Sequence, residues 1–489
     1  MNLCNVNHSF NYELEKLCRI FLPFEKINIL EYESPDEIYA VCSLNEAKNQ
    51  ATVTLTIGEK TYGCKRVVTE SDEKALELSI ASCLFNCFVK ATGYTSPWGM
   101  LTGVRPVKLY SKLTKQLGQE ETEKYFKEKL FVSEEKISLC RETLKPEEDI
   151  IVKSRPDSFS LYISIPFCPS RCSYCSFVSH SVEKAGRLIE DYVKLLCREI
   201  AITGRIAKEN NLRLETVYIG GGTPTALEAY HLTQIMNAVS RNFDLTDVKE
   251  YTVEAGRPDV TTREKLVAIK NGGATRISIN PQTMNDNVLE AIGRKHTAKQ
   301  MVEVFNMARE LGFDNINTDL IAGLPTDTLE GFKYSVEEIL KLDPESVTVH
   351  SLSVKKAANI SISGNLPELK EWDTATDMVR FAKSRLSKSG IKPYYMYRQS
   401  KTVGNLENVG YAKEGFEGLY NVYIMDETHT ILACGASGVT KLREPNGDYI
   451  ERIFNFKYPY EYISRFNEMI SRKEQIGEFY DKYSAKDKQ

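Results

Sequence analysis

Between residues 161 and 390, short β-branched runs alternate six times with longer amphipathic ones, and few architectures satisfy that pattern. Strands are expected over 161–167, 216–220, 250–255, 274–280, 315–322 and 346–352, and helices over 188–208, 226–241, 264–271, 297–311, 329–342 and 372–389. Each strand–helix–strand unit returns the chain in the same direction, which implies a parallel sheet with right-handed crossovers. A doubly wound sheet and an incomplete (β/α)6 barrel both fit. With no second set of glycine-rich nucleotide signals, the barrel is the expectation. Thr261 and Glu264 stand at capping-box spacing before the third helix.

The flanks differ in character. Residues 1–150 read as a separate α+β domain, with antiparallel strands over 27–32, 38–44 and 51–57 and helices over 73–90, 107–117, 121–130 and 134–144; residues 145–156 read as a charged linker. The barrel is assigned to 151–390. A third region, 391–489, is rich in aromatics and glycine, has strand-like runs at 421–425 and 430–433, and is expected to complete the substrate side of the site. The apolar stretch 78–89 is too short to cross a bilayer and reads as a core helix. The amino end lacks a basic region followed by an apolar one, so secretion is not expected. Lys and Arg number 63 against 67 Asp and Glu, a net charge of -4, which offers no basic bias toward nucleic acid. No membrane span is expected, the location is expected to be cytoplasmic, and the chain is expected to be a monomer.

Chemistry concentrates where the first strand ends. Cys168, Cys172 and Cys175 lie in IPFCPSRCSYCSF, a Cys-x3-Cys-x2-Cys spacing with no fourth cysteine nearby. A [4Fe–4S] cubane takes four ligands, so three local thiols leave one iron open. An open metal position is the mark of a catalytic site. A zinc site with His180 as fourth ligand is the rival; the aromatic surroundings Phe167, Tyr174 and Phe177 favour the cluster. Disulfides do not suit a long chain with scattered cysteines.

In a β/α barrel the carboxyl ends of the strands carry the chemistry. Those ends hold Cys168, the run Gly220-Gly221-Gly222-Thr223-Pro224, Glu254, Gln282, Asp319 and Ser353. Glycines let backbone approach a ligand closely. A carboxylate such as Glu254 suits an ammonium group, and Asp319 suits ribose hydroxyls. An amino acid joined to a nucleoside, as in S-adenosylmethionine, fits that set.

These residues resemble the radical S-adenosylmethionine (radical SAM) enzymes. YISIPFC, YIGGGTPT, VEAGRPD, NPQTMNDNVLEAIGRKH and DLIAGLPTDT together resemble oxygen-independent coproporphyrinogen III oxidase and its relatives, and PYYMYRQSKTVGNLENVGY with the distinct amino-terminal domain looks most like coproporphyrinogen dehydrogenase of the HemZ type. The resemblance implies that Cys168, Cys172 and Cys175 hold a [4Fe–4S] cluster, and that Tyr162, Gly221 and Glu254 contact the S-adenosylmethionine on its open iron. Ser353 and Val439 align with further contacts to that molecule. Tyr174, Gly222, Thr223, Gln282, Arg294 and Asp319 align with a second S-adenosylmethionine site. The implied activity is anaerobic oxidative decarboxylation of coproporphyrinogen III to protoporphyrinogen IX, through a 5′-deoxyadenosyl radical, with electrons from a low-potential donor such as flavodoxin or ferredoxin. Arg257, Arg294, Lys295 and Arg398 are candidate partners for the substrate carboxylates, and Tyr394, Tyr395 and Tyr397 for its ring. One departure matters: the best-studied oxidases carry another cysteine where Phe177 stands, and phenylalanine there resembles the haem-chaperone branch. A haem-binding chaperone is therefore the alternative. A tRNA-modifying radical enzyme would call for a basic appended module, which the charge balance does not supply.

Overall fold

The computed structural model describes residues 1–45, 49–68, 72–175, 177, 179–353 and 369–484, without the side chains of 369–371 and 484. Two compact units are present: one of Met1–Glu142, Ile362–Thr376 and Tyr397–Glu407, the other of Thr143–Ser361, Asp377–Met396 and Asn408–Gln489.

In the first unit a five-stranded sheet runs in the order β2-β1-β3-β4-β5. Its strands are β1 (Asn2–Val6), β2 (Asn28–Leu30), β3 (Ile38–Asn45), β4 (Gln50–Ile57) and β5 (Lys60–Val67). β3, β4 and β5 form antiparallel pairs. The expected strand at 27–32 is only the short β2, and it runs parallel to β1. β1 and β5 were not expected. β5 is an edge strand whose Lys60, Lys65 and Arg66 give it a polar reading, a common guard against edge-to-edge pairing. A further unexpected helix, Asn11–Phe21, buries Leu14, Leu17, Cys18 and Phe21.

The apolar helix spans Glu73–Thr92, started by Asp72, whose carboxylate accepts from the backbone N–H of Lys74 and Ala75. At 20 residues it is long and apolar enough to cross a membrane by length and composition, so the length argument does not hold. Its packing identifies it as a core helix: Phe88 stacks on Phe21 at 4.8 Å, and Cys83, Leu84 and Cys87 are buried. The helix Glu134–Ile151 continues through the first half of the expected linker, with Pro146 inside it.

The second unit is built on an 11-stranded sheet. β6 (Ser158–Ile165) leads into a short pair, β7 (Phe167–Cys168) and β8 (His180–Ser181), that brackets the cysteine loop. The barrel continues with β9 (Arg213–Gly221), β10 (Glu250–Glu254), β11 (Arg276–Ser278), β12 (Ile316–Ala322) and β13 (Ser346–Ser351). After them come β14 (Lys392–Arg398), β15 (Glu407–Ala412), β16 (Thr430–Cys434), β17 (Val439–Arg443) and β18 (Ile450–Phe454). The order is β14-β15-β13-β12-β11-β10-β9-β6-β16-β17-β18. The six expected parallel strands are therefore neighbours in sequence order, giving the incomplete barrel. β16 adds a seventh parallel strand beside β6, and β15 closes the other side antiparallel to β13. The run at 421–425 forms a helix, Leu419–Asp426, rather than a strand.

The third barrel helix begins at Thr262, whose hydroxyl accepts from Lys265 N–H; Thr261 instead turns inward and donates to the Arg257 carbonyl at 2.9 Å. The capping box belongs to the next long helix, at Thr297 and Gln300.

Strand alternation sorts the side chains by face. Leu161, Ile163, Val217, Ile219, Val253, Ile277, Val347 and Val349 are buried on one face. The other carries a polar web, in which Asn317 donates to Ser278 Oγ and Asp319 Oδ1 and accepts from Ser346 and Thr348. All four hydrogen-bonding valences of that amide are used.

Candidate functional site

The carboxyl ends of β6 and β9 are locked together by backbone. Gly222 N–H donates to the Ile165 carbonyl at 2.7 Å and Thr223 N–H to the Phe167 carbonyl at 2.8 Å. A Cβ on Gly222 would lie 2.7 Å from the Phe167 oxygen and 3.0 Å from Cys168 Sγ. Gly221 adopts φ +109°, which L side chains rarely take. This glycine run therefore presses directly on the cysteine loop. Thr223 donates its hydroxyl to Cys168 Sγ at 3.4 Å, and Arg257 Nη1 donates to Cys172 Sγ at 3.5 Å. Cys168 and Cys172 are buried, and Cys175 is half-buried. Burial pushes the Cys168 thiol up against the pull of Ser179 and Thr223, and pushes Cys175 up as well. None of the 12 cysteines is in a disulfide.

Among the described residues, no three His, Cys, Asp or Glu side chains converge on a point that would hold a single ion. A zinc site made with His180 needs that convergence; its ring instead packs edge-on against Tyr458. Thiols that each grip a different iron of a cubane stand further apart than the ligands of one ion. Three thiols on one loop, with Gly222 packed closely against Cys168, suit the cluster.

Beyond the loop, the rings of Tyr162, Tyr218 and Tyr420 pack as a mutual cluster, with centroids 4.4 Å apart for Tyr218 and Tyr420, 6.1 Å for Tyr162 and Tyr420, and 6.2 Å for Tyr162 and Tyr218. Tyr420 comes from the helix Leu419–Asp426, whose first N–H groups donate to the Glu250 carboxylate. Tyr218 donates to Glu254 Oε1 at 2.6 Å. A Cβ on Gly220 would sit 2.9 Å from Glu254 Cδ, so the glycine admits that carboxylate. Burial pushes Glu254 up to about 7, with Asp319 adding to the rise and Tyr218 opposing it. Burial would also raise Asp319, but His350, Asn317 and Thr348 outweigh it and hold the group below the usual carboxylate range. His350 Nε2 lies 3.7 Å from Asp319 Oδ2.

Gln282 is brought beside Asp319 by backbone: its N–H donates to the Asp319 carbonyl and its own carbonyl accepts from Ile321, both at 2.9 Å. It holds φ +71°, and its Oε1 is buried without a partner. A strained non-glycine residue with an orphaned acceptor is a ligand-facing arrangement. Arg294 donates to Tyr174 Oη from both Nε (3.2 Å) and Nη2 (2.9 Å), and to the Gly256 carbonyl at 3.0 Å. Among the described residues it has no carboxylate partner.

The sequence-expected residues thus fall in four groups. The cysteines, Gly221, Gly222 and Thr223 share one loop junction. Tyr162 and Glu254 are joined through Tyr218, and Gln282 and Asp319 through backbone. Tyr174 pairs with Arg294. Ser353 lies just past the end of β13, and Val439 opens β17 opposite Phe454. Several expected substrate contacts are engaged elsewhere. Arg257 is closed by Asp259; Arg398, in the first unit, is buried and donates to the Leu101, Gly103 and Asn405 carbonyls. Tyr394 and Tyr395 are core residues, and Lys295 stays exposed. Tyr218, Tyr420, Asn317 and His350 were missed. Tyr218 was findable, two residues before Gly220 on the same strand face.

A profile of the radical SAM superfamily matches residues 162–339. The chain is 34% identical over 484 residues to the oxygen-independent coproporphyrinogen-III oxidase-like protein HemZ of Bacillus subtilis, covering 94% of this chain and 97% of that one. It is 34% identical over 329 residues to the heme chaperone HemW of the same organism, covering 65% of this chain and 81% of that one. Among solved structures, coproporphyrinogen III oxidase (HemN) from Escherichia coli superposes with a TM-score of 0.52 at 22% identity, over 66% of this chain and 72% of that chain. That likeness shows the shared fold.

Replacing Gly222 with alanine is expected to push the cysteine loop off its seat. Iron bound per chain after anaerobic reconstitution should fall severalfold while the far-ultraviolet circular dichroism is retained; undiminished iron would contradict the cradle.

Proposed function

The chain belongs to the radical SAM superfamily, in its HemZ-like group, and from that membership we propose that it converts coproporphyrinogen III to protoporphyrinogen IX without oxygen, in porphyrin biosynthesis. The observation that carries this reading is the match to the HemZ-like relative along nearly the whole chain, amino-terminal unit included. Radical SAM proteins use a [4Fe–4S] cluster and S-adenosylmethionine. Together these supply, when bound, a radical that takes hydrogen from an unactivated carbon, as making a vinyl group from a propionate requires.

The rest falls to the protein. Cys168, Cys172 and Cys175 would hold the cluster and leave one iron to the sulfonium ligand. Glu254, oriented by Tyr218, would take the ligand's ammonium group, with Gly221 allowing close approach and Tyr162, Ser353 and Val439 bounding the pocket. Asp319, already ionised and held by Asn317 and His350, suits ribose hydroxyls, and the free acceptor on Gln282 suits a donor beside them. Arg294 with Tyr174, Gly222 and Thr223 would complete a second adenosyl site. The tyrosine rings would help keep water from this side of the site. Holding reactants in register and dry is the protein's share of the catalysis. Electrons would come from a low-potential donor such as flavodoxin or ferredoxin, and cysteines that form no disulfide suit a reducing, cytoplasmic setting.

A second reading, a haem-binding chaperone, is favoured by Phe177 and by the HemW likeness. One assay separates them. Anaerobically reconstituted protein given reductant, S-adenosylmethionine and coproporphyrinogen III is expected to form protoporphyrinogen IX; stable haem binding without product would support the chaperone. Cys172→Ala should abolish cluster absorbance and cofactor cleavage together, whereas Asp319→Ala should keep the cluster and lose most turnover.

The Glu254 carboxyl gives a pH signature. Only its ionised form pairs with ammonium, so affinity for S-adenosylmethionine should rise as pH climbs through about 7. It should fall again as the ligand's own amine loses its proton, near 8 for an α-amino group, roughly. Equilibrium dialysis of the reconstituted protein reads this profile, and Glu254→Gln should weaken binding and erase the acidic limb; an unchanged limb would refute the assignment.

A further inference from the structure

Arg257 carries the expected chemistry of a carboxylate binder, yet its surroundings turn it toward the cysteine loop. The residue is buried, 3% exposed. Its Nε and Nη2 donate to the two oxygens of Asp259, each at 2.9 Å, a fork that fixes the plane of the guanidinium. Nη2 also donates to Ser170 Oγ at 3.0 Å, and Nη1 to the Ser170 carbonyl at 3.4 Å and to Cys172 Sγ at 3.5 Å. Every guanidinium nitrogen thus has an acceptor, in Asp259 or in the cysteine loop. The other near neighbour of Asp259, His296, is held neutral down to about 3 by burial and by Arg294, so it does not compete for that charge. Cys168, by contrast, accepts from a neutral hydroxyl, that of Thr223.

We propose that Arg257 is a positioning residue for the cluster: locked by Asp259, it fixes Cys172 by donating to its sulfur and makes the cluster easier to reduce. The proposal rests on the reading of Cys172 as a cluster ligand. Its physics is general. Reduction adds one negative charge to a cluster already made anionic by its thiolates. In a buried, weakly screened site a fixed cation in contact stabilises the reduced form more than the oxidised one. Hydrogen bonds to ligating sulfur and net local charge both set such potentials. The sign follows: the guanidinium raises the potential, and its removal lowers it.

The test is a redox titration of the anaerobically reconstituted full chain without S-adenosylmethionine, with the reduced cluster read by electron paramagnetic resonance. Arg257→Gln keeps an amide donor and removes the charge. At equal iron and sulfide content, it is expected to cut the reduced-to-oxidised ratio tenfold at a fixed potential, a downward shift of about 59 mV for one electron. Arg257→Lys, which keeps a positive charge and leaves Asp259 in place but loses the fork and the fixed contact with Cys172, should shift the same way by less. A parental midpoint in Arg257→Gln overturns the proposal. Should the glutamine variant hold no cluster, Arg257→Lys decides: a lowered midpoint supports the proposal, and a midpoint that is not lowered overturns it. Parent protein without any iron–sulfur signal would sink the ligand reading itself, which is a different failure from an unmoved potential.

Discussion

Where β9 ends, backbone meets backbone with no room for a side chain between. The bond from Gly222 to Ile165, and the one from Thr223 to Phe167, seat the second strand's loop on the first strand's cysteine loop. Gly220 opens the adjoining space to Glu254. Everything proposed for the site descends from this junction: it fixes Cys168 and lets the Glu254 carboxylate stand against Gly220. The Arg257–Asp259 pair does for the second cysteine what Thr223 does for the first, with charge added.

The barrel's inner face is polar without being wet by default. Asn317 ties β11, β12 and β13 together, the tyrosine stack fills the space between β6, β9 and the helix Leu419–Asp426, and Glu250 holds that helix by its amino end. Such a web is favourable because its groups satisfy one another, and a polar group left unpaired there would cost about 1–3 kcal/mol. The exception among the site residues, the Gln282 acceptor, sits at a strained backbone position beside Asp319, which is the place a ligand's donor is needed.

Much of this was legible because it is local. The six strand–helix units follow from periodicity, and each expected strand agrees with its observed counterpart to within a few residues. The cysteines, the glycine run, Glu254 and Asp319 follow from asking which residues end those strands. What was illegible depends on partners far off in the chain. The run 430–433 reads as a strand and is β16, but its parallel pairing with β6, across more than half the second unit's sequence, does not follow from the residues near 430. The run 421–425 has strand-like composition but is helical because Glu250 caps it. Arg257 and Arg398 read as free cations only because their acceptors, Asp259 with the cysteine loop in one case and backbone carbonyls in the other, are set by folding. In the first unit, β5 hid behind its lysines.

Phe177, exposed two residues after the third cysteine, keeps the two proposed functions in view. Both functions share the premise that one corner of the cluster is not held by protein. Mössbauer spectroscopy of chain reconstituted with iron-57 addresses that premise most directly. The account predicts that one iron in four changes its isomer shift and quadrupole splitting when S-adenosylmethionine is added, while three stay as they were. Four irons indifferent to the ligand, or zinc in place of iron, would contradict it.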